Sequence, residues 1–106
     1  MHKSIGTGLI ALRVAAIGPI EEEVLFRGLI LPRLVPWMGG AWAIVASSAV
    51  FAILHEGFGN EPVGLRAATV FLIALVLSWA RLRTGGLTAP ITMHIVTNAL
   101  CLWARR

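Results

Sequence analysis

Charge is scarce in this sequence, and cysteine is scarcer. Only 13% of the 106 residues are charged, while 58% are hydrophobic. An ordinary soluble domain is about a quarter charged and about half apolar. A chain with half the usual charge has too little polar surface for that class, so composition points to a membrane class. The single cysteine, Cys101, excludes an intrachain disulfide and a multi-cysteine metal site. It lies in an apolar stretch and reads as a packing residue. Net charge is +4, yet no basic run carries interleaved aromatics, so nucleic acid is not the expected partner. Arg33, Arg81, Arg83, Arg105 and Arg106 instead flank apolar runs, as helix-end anchors do.

Other absences narrow the field. There are no internal repeats, low-complexity tracts or long linkers, so a single membrane domain over 1–106 is expected. No cleavable signal peptide is evident, because Arg13 interrupts the apolar run from Ile5 to Ile17 and no small-x-small site stands out. His55-Glu56 lacks a second histidine four positions after the first, where Gly59 stands, so the soluble zincin motif is missing. Ser47 and Ser48 have no Gly-x-Ser-x-Gly elbow around them and read as helix-contact residues. The glycine pairs are not followed by Lys-Ser/Thr, so no phosphate loop is indicated.

What is present reads as all-α: a multi-pass transmembrane helix bundle of roughly four helices. Ile5 to Ile17 is a short helix that Gly18-Pro19 breaks or kinks. A second helix runs from Ile20 to about Val35, with a kink near Pro32. Pro36 to Gly40 reads as a turn. Ala41 to Leu54 is uncharged and rich in small residues, which allow close helix contact in lipid. It spans only about 21 Å at 1.5 Å per residue, less than a hydrocarbon core of about 30 Å. His55 is therefore expected at or below the interface, in a cavity. Gly57 to Gly64 is a loop. Leu65 to Leu82 is the clearest spanning helix, Thr84-Gly85-Gly86 a turn, and Leu87 to Ala104 the last helix.

Against this background the stretch from Gly18 to Gly28 stands out. It sets Glu21, Glu22 and Glu23 side by side and follows them with Arg27. Charge in an apolar medium is costly unless paired or used. Glu23 and Arg27 are four apart and share a helix face, so they can pair. Glu22 is five from Arg27 and points elsewhere. The spacing suggests one structural ion pair and one carboxylate free for chemistry. In a soluble protein the same stretch would read as an ordinary helix start, with proline in the first turn and acids at the positive end of the dipole.

Few other polar side chains lie inside the apolar runs: His55, with Phe51 one turn before it, and His94 and Asn98, four apart on one face. Singly, each has a bland reading, as a satisfied core histidine or as interhelical glue. Together they form a set able to direct water at a carbonyl. A carboxylate takes the proton, aided by a histidine, and a second histidine with an asparagine donates to the oxyanion. Glu22, His55 and His94 also make a set that can ligate zinc with water in the fourth place. No spaced His-x-x-x-His pair is present, and no carboxylate is evident beside His94 to orient it. These absences favour a metal-independent reaction, with zinc as the other option.

The order Glu22-Glu23-Val24-Leu25-Phe26-Arg27-Gly28, then Phe51-Ala52-Ile53-Leu54-His55, then His94-Ile95-Val96-Thr97-Asn98 resembles the CAAX-processing and bacteriocin-protection intramembrane proteases, the Abi or CPBP family. The resemblance runs from about Pro19 to Leu102. It implies hydrolysis of peptide bonds in or near the membrane, in CAAX-type processing or bacteriocin processing and immunity. It places the protein in the cell membrane as a multi-pass protein, with a membrane-associated peptide or protein as substrate. Glu22 would activate water with His55, His94 and Asn98 would line the oxyanion site, and Glu23 and Arg27 would hold the helix. It also implies several helices ahead of the first motif, so the expectation is a truncated product or fragment missing those upstream helices, or a short member that forms a homo-oligomer. Two other classes use the same residues: a non-catalytic immunity or scaffold protein, and a small transporter subunit carrying charge along the buried groups.

Overall fold

The computed structural model describes residues 2–55 and 64–104. Every element among them is helical. The chain opens with α1 (His2–Leu12), passes through a π-helical stretch at Arg13–Ile17 into α2 (Gly18–Glu23), and through a second at Val24–Ile30 into α3 (Leu31–Leu54). After these come α4 (Leu65–Thr84) and α5 (Thr88–Ala104). Two stretches, Ile5–Leu54 and Leu65–Thr84, are long and apolar enough to cross a membrane. With the bend at Gly39 dividing the first of them, the bundle has roughly the four helices expected.

Of the break or kink expected at Gly18-Pro19, the break is absent, and the helix continues through a π-turn. The residues around it keep right-handed helical angles, and Pro19 sits in the first turn of α2. The π-turn explains how. The Gly18 N–H reaches back five residues to the Arg13 carbonyl, so the widened turn takes in a proline without ending the helix. A Cβ on residue 18 would stand 3.1 Å from that carbonyl oxygen, which is why glycine fits there. The same device recurs at Leu31-Pro32, where the Leu31 N–H reaches back five residues to the Phe26 carbonyl.

The turn expected over Pro36 to Gly40 narrows to one residue. Helical geometry runs through Pro36, and only Gly39 departs, at φ 81° and ψ 163°. Few residues other than glycine adopt that conformation. Trp37 and Trp42, both largely exposed, flank the bend. The turn before α5 is as read, with Gly85 at φ 79° closing α4 by its N–H to the Arg81 carbonyl. The loop expected over Gly57 to Gly64 lies outside the described residues except for Gly64 itself.

The interior is small and mixed. Phe26, Phe51 and Ala74 form its apolar cluster, backed by Ile30 and Val70. Phe26 meets Phe51 edge to face, with ring centroids 4.9 Å apart. Small residues at the α3–α4 contact, Ala43, Ser47, Ser48, Ser78 and Ala80, are buried and let the helices approach closely. Large apolar side chains such as Leu9, Ile53, Leu72 and Val96 face outward, the arrangement of a bundle whose solvent is lipid. Cys101 on α5 is exposed rather than packed, on the wall of a groove that it shares with Val70 and Ile73 of α4.

Candidate active site

The Glu22–Glu23 turn of α2 faces the end of α3 and the middle of α5, and the two carboxylates diverge. Glu23 points into the bundle and is fully buried, while the Glu22 side chain keeps a third of its surface accessible. Glu23 Oε2 accepts from Arg27 Nη1 at 2.9 Å, the four-apart pair that the spacing suggests. Arg27 is equally buried and meets every side of its surroundings. It donates to Ser78 Oγ at 3.3 Å and to the Ala74 carbonyl at 3.2 Å, and lies 4.5 Å from the Phe51 ring centre. Such saturation is what a guanidinium in an apolar interior requires.

Glu23 has a second partner that spacing did not reveal. His94 Nδ1 lies 2.7 Å from the same Oε2 atom. The carboxylate thought to be missing beside His94 comes from α2, across 71 positions of sequence. No local pattern carries such a contact, because it depends on how α5 packs on α2. It fixes the imidazole: with its Nδ1 proton directed at a carboxylate, Nε2 faces the cleft and stands 3.5 Å from Glu22 Oε1.

Donor and acceptor chemistry also locates a proton at Glu22. His55 Nδ1 lies 2.7 Å from the Phe51 carbonyl, which only accepts, so Nδ1 carries hydrogen. His55 Nε2 lies 2.6 Å from Glu22 Oε2. A carboxylate oxygen facing an unprotonated ring nitrogen would set two acceptors against each other, so one proton is shared between them. Phe51 holds His55 from the side as well, with ring centroids 4.2 Å apart.

Glu22, His55, His94 and Asn98 therefore line one cleft of about 120 Å³, together with Phe51, Arg66, Val70, Ile73 and Thr97. Asn98 is the member placed differently from the expectation. One N–H of its amide donates to the Val14 carbonyl in the first π-turn, at 3.0 Å. Ser48 is buried on α3 and its Oγ has no hydrogen-bond partner among the described residues.

The donor set can be tested against zinc. Nitrogen and oxygen ligands at about 2.0–2.2 Å from a tetrahedral ion stand more than about 3 Å from each other. The 2.6 Å contact between Glu22 Oε2 and His55 Nε2 is shorter than that and fits a proton. Among the described residues no group of three histidine, cysteine or acidic side chains closes on an ion. As arranged, these residues do not fit the metal.

A membrane-type helix bundle that gathers a carboxylate and two histidines in an interior cleft defines the class. The particular family follows from sequence. The profile of the Rce1-like, type II CAAX prenyl endopeptidase family matches residues 4–100, and the chain belongs to that family. It is 32% identical over 100 residues to an uncharacterized 24.3 kDa protein of Escherichia coli, covering 89% of this chain and 43% of that one. It is 33% identical over 91 residues to the membrane-embedded CAAX protease MroQ of Staphylococcus aureus, covering 80% and 34%. It is 32% identical over 101 residues to the human CAAX prenyl protease 2, covering 82% and 31%. The chain thus spans less than half the length of these relatives. No solved structure matches it.

Proposed function

We propose that this chain carries the catalytic centre of a membrane-embedded endopeptidase that cleaves the C-terminal region of a membrane-associated peptide or protein. The observation that carries the reading is the contact of one partly accessible carboxylate, Glu22, with two histidines from different helices, each fixed at Nδ1 by an acceptor behind it. Family membership supports the reaction class. Water in the cleft gives a proton to Glu22 Oε1 as its oxygen attacks the peptide carbonyl. That proton passes to His94 Nε2, on a ring that Glu23 holds in place at Nδ1, and the new N–H donates to the oxyanion. The proton shared by Glu22 and His55 goes to the leaving nitrogen as the tetrahedral intermediate collapses, and the proton on His94 Nε2 then returns through Glu22 Oε1 to restore the pair. Asn98 stands on the same wall of the cleft as His94. The cell membrane is the proposed location, with bilayer lipid around the outward apolar faces.

The test is cleavage by the purified full chain in liposomes, using a peptide ending in a CAAX-type sequence with and without a prenyl group. Cleavage that disappears in Glu22→Gln, at an unchanged melting temperature, is the expected result. Cleavage by Glu22→Gln at the parent rate would overturn the reading. The two peptides tell whether the prenyl chain is recognised.

A further inference from the structure

Each end of the segment bearing Glu22 and Glu23 has the same construction. At the first, the Gly18 N–H bonds the Arg13 carbonyl five residues back. By that spacing the next donor, residue 19, belongs to the Val14 carbonyl, but Pro19 has no N–H. Asn98 of α5 supplies the missing donor, its Nδ2 lying 3.0 Å from Val14 O. At the second end, the Leu31 N–H bonds the Phe26 carbonyl. Residue 32 would serve the Arg27 carbonyl, and Pro32 again has no N–H. Arg81 of α4 supplies that donor, with Nε 3.0 Å from Arg27 O. Two carbonyls that prolines leave without main-chain donors are each satisfied by a side chain from another helix. A helical carbonyl in an apolar medium needs such a partner.

We infer that Asn98 and Arg81 are positioning residues that clamp the two proline-linked π-turns and so set the angle at which Glu22 faces His55 and His94. The clamp adds to the proposed reaction and rests on it for its activity readout. The π-turns place Glu22 between two fixed points, Val14 on one side and Arg27 on the other. Loss of the Asn98 donor lets the first turn rewind toward ordinary α-helix, which rotates every residue after it. Glu22 lies within about one helical turn of that change, and a carboxylate displaced by about 1 Å slows a reaction by about 100-fold.

The experiment is second-site rescue in the full chain. Asn98→Ala is expected to lower kcat by about 100-fold with KM little changed, and to lower the melting temperature. Pro19→Ala, which restores an N–H five residues after Val14, is expected to return much of both losses when added to Asn98→Ala. Pro32→Ala is expected to do the same for Arg81→Met. If Asn98→Ala has no effect, or if its loss of kcat is undiminished in the Pro19→Ala background, the inference is overturned and Asn98 acts on the substrate directly. Should Pro19→Ala alone silence the enzyme, melting temperatures decide: a smaller loss from Asn98→Ala in that background supports the clamp, and an equal loss overturns it. Should the parent chain cleave nothing, the proposed function fails while the melting cycle still reads the clamp.

Discussion

Two neighbouring carboxylates live in different solvents. Glu23 is sealed in the bundle, where Arg27 and His94 share one of its oxygens. Glu22, one residue earlier, opens on a cleft with His55 on one side and His94 on the other. The 100° turn between successive helical residues separates the two environments. The comparison teaches that the charge in this bundle is divided: the buried side holds an ion pair with no room for reaction, and the cleft side holds a proton with room for water. His94 touches both. Glu21 completes the series on the outer face, where it pairs with Arg13 at 2.7 Å and both side chains are mostly exposed.

Mutations along this series sharpen the comparison or break it. The largest effect is expected at Glu22, where Gln cannot take a proton. Peptide cleavage should fall by about 10²–10⁴-fold, the contribution of a positioned general base, while the melting temperature in detergent stays at the parent value. His55→Phe should show a loss in the same range. Next comes Glu23→Gln, which leaves Arg27 buried without its counterion and should destabilise by about 3–5 kcal/mol, measured by denaturation. Replacing both Glu23 and Arg27 with apolar residues of similar size should cost less than Glu23→Gln alone, because no unpaired charge is left behind.

His94 should fall between the two. His94→Asn removes a buried hydrogen bond to a charged group, worth about 2 kcal/mol, and the Nε2 atom of the cleft. Melting and cleavage should both drop, and a variant that loses only one of them would separate the dry side from the wet side more sharply than the geometry does. The smallest effect is expected at Glu21. Its ion pair with Arg13 is exposed, so Glu21→Gln should change stability by less than about 1 kcal/mol and leave cleavage intact. A large loss there would mean that the outer face takes part in the reaction.

The helices and the division between Glu22 and Glu23 were legible because both depend on short-range spacing. Four positions bring Glu23 to Arg27, and long apolar runs with few charges define the bundle. The membrane class follows from scarce charge together with a high hydrophobic fraction. What was not legible depends on packing or on backbone accounting. The contact from Glu23 to His94 joins α2 to α5, so no pattern within either helix announces it. Gly18-Pro19 reads as a break or kink and Pro36 to Gly40 as a turn, because proline removes a donor. The π-turn accommodates Pro19, and at Pro36 the helix continues until Gly39, whose positive φ makes the bend. The prolines did carry a signal: a carbonyl five residues before each one, once a π-turn is allowed, needs a donor from elsewhere. Asn98 and Arg81 are those donors, and a search of the sequence for polar groups facing Val14 and Arg27 could have raised them.

The central claim is that adjacent carboxylates divide catalysis from structure, and one paired measurement tests it most directly. Glu22→Gln and Glu23→Gln are prepared side by side in liposomes, and cleavage is expressed per folded molecule. The prediction is a Glu22→Gln protein that melts with the parent and does not cleave. Its Glu23→Gln counterpart melts far lower, yet the fraction still folded retains measurable cleavage. Two variants that melt like the parent and lose cleavage equally would contradict the division.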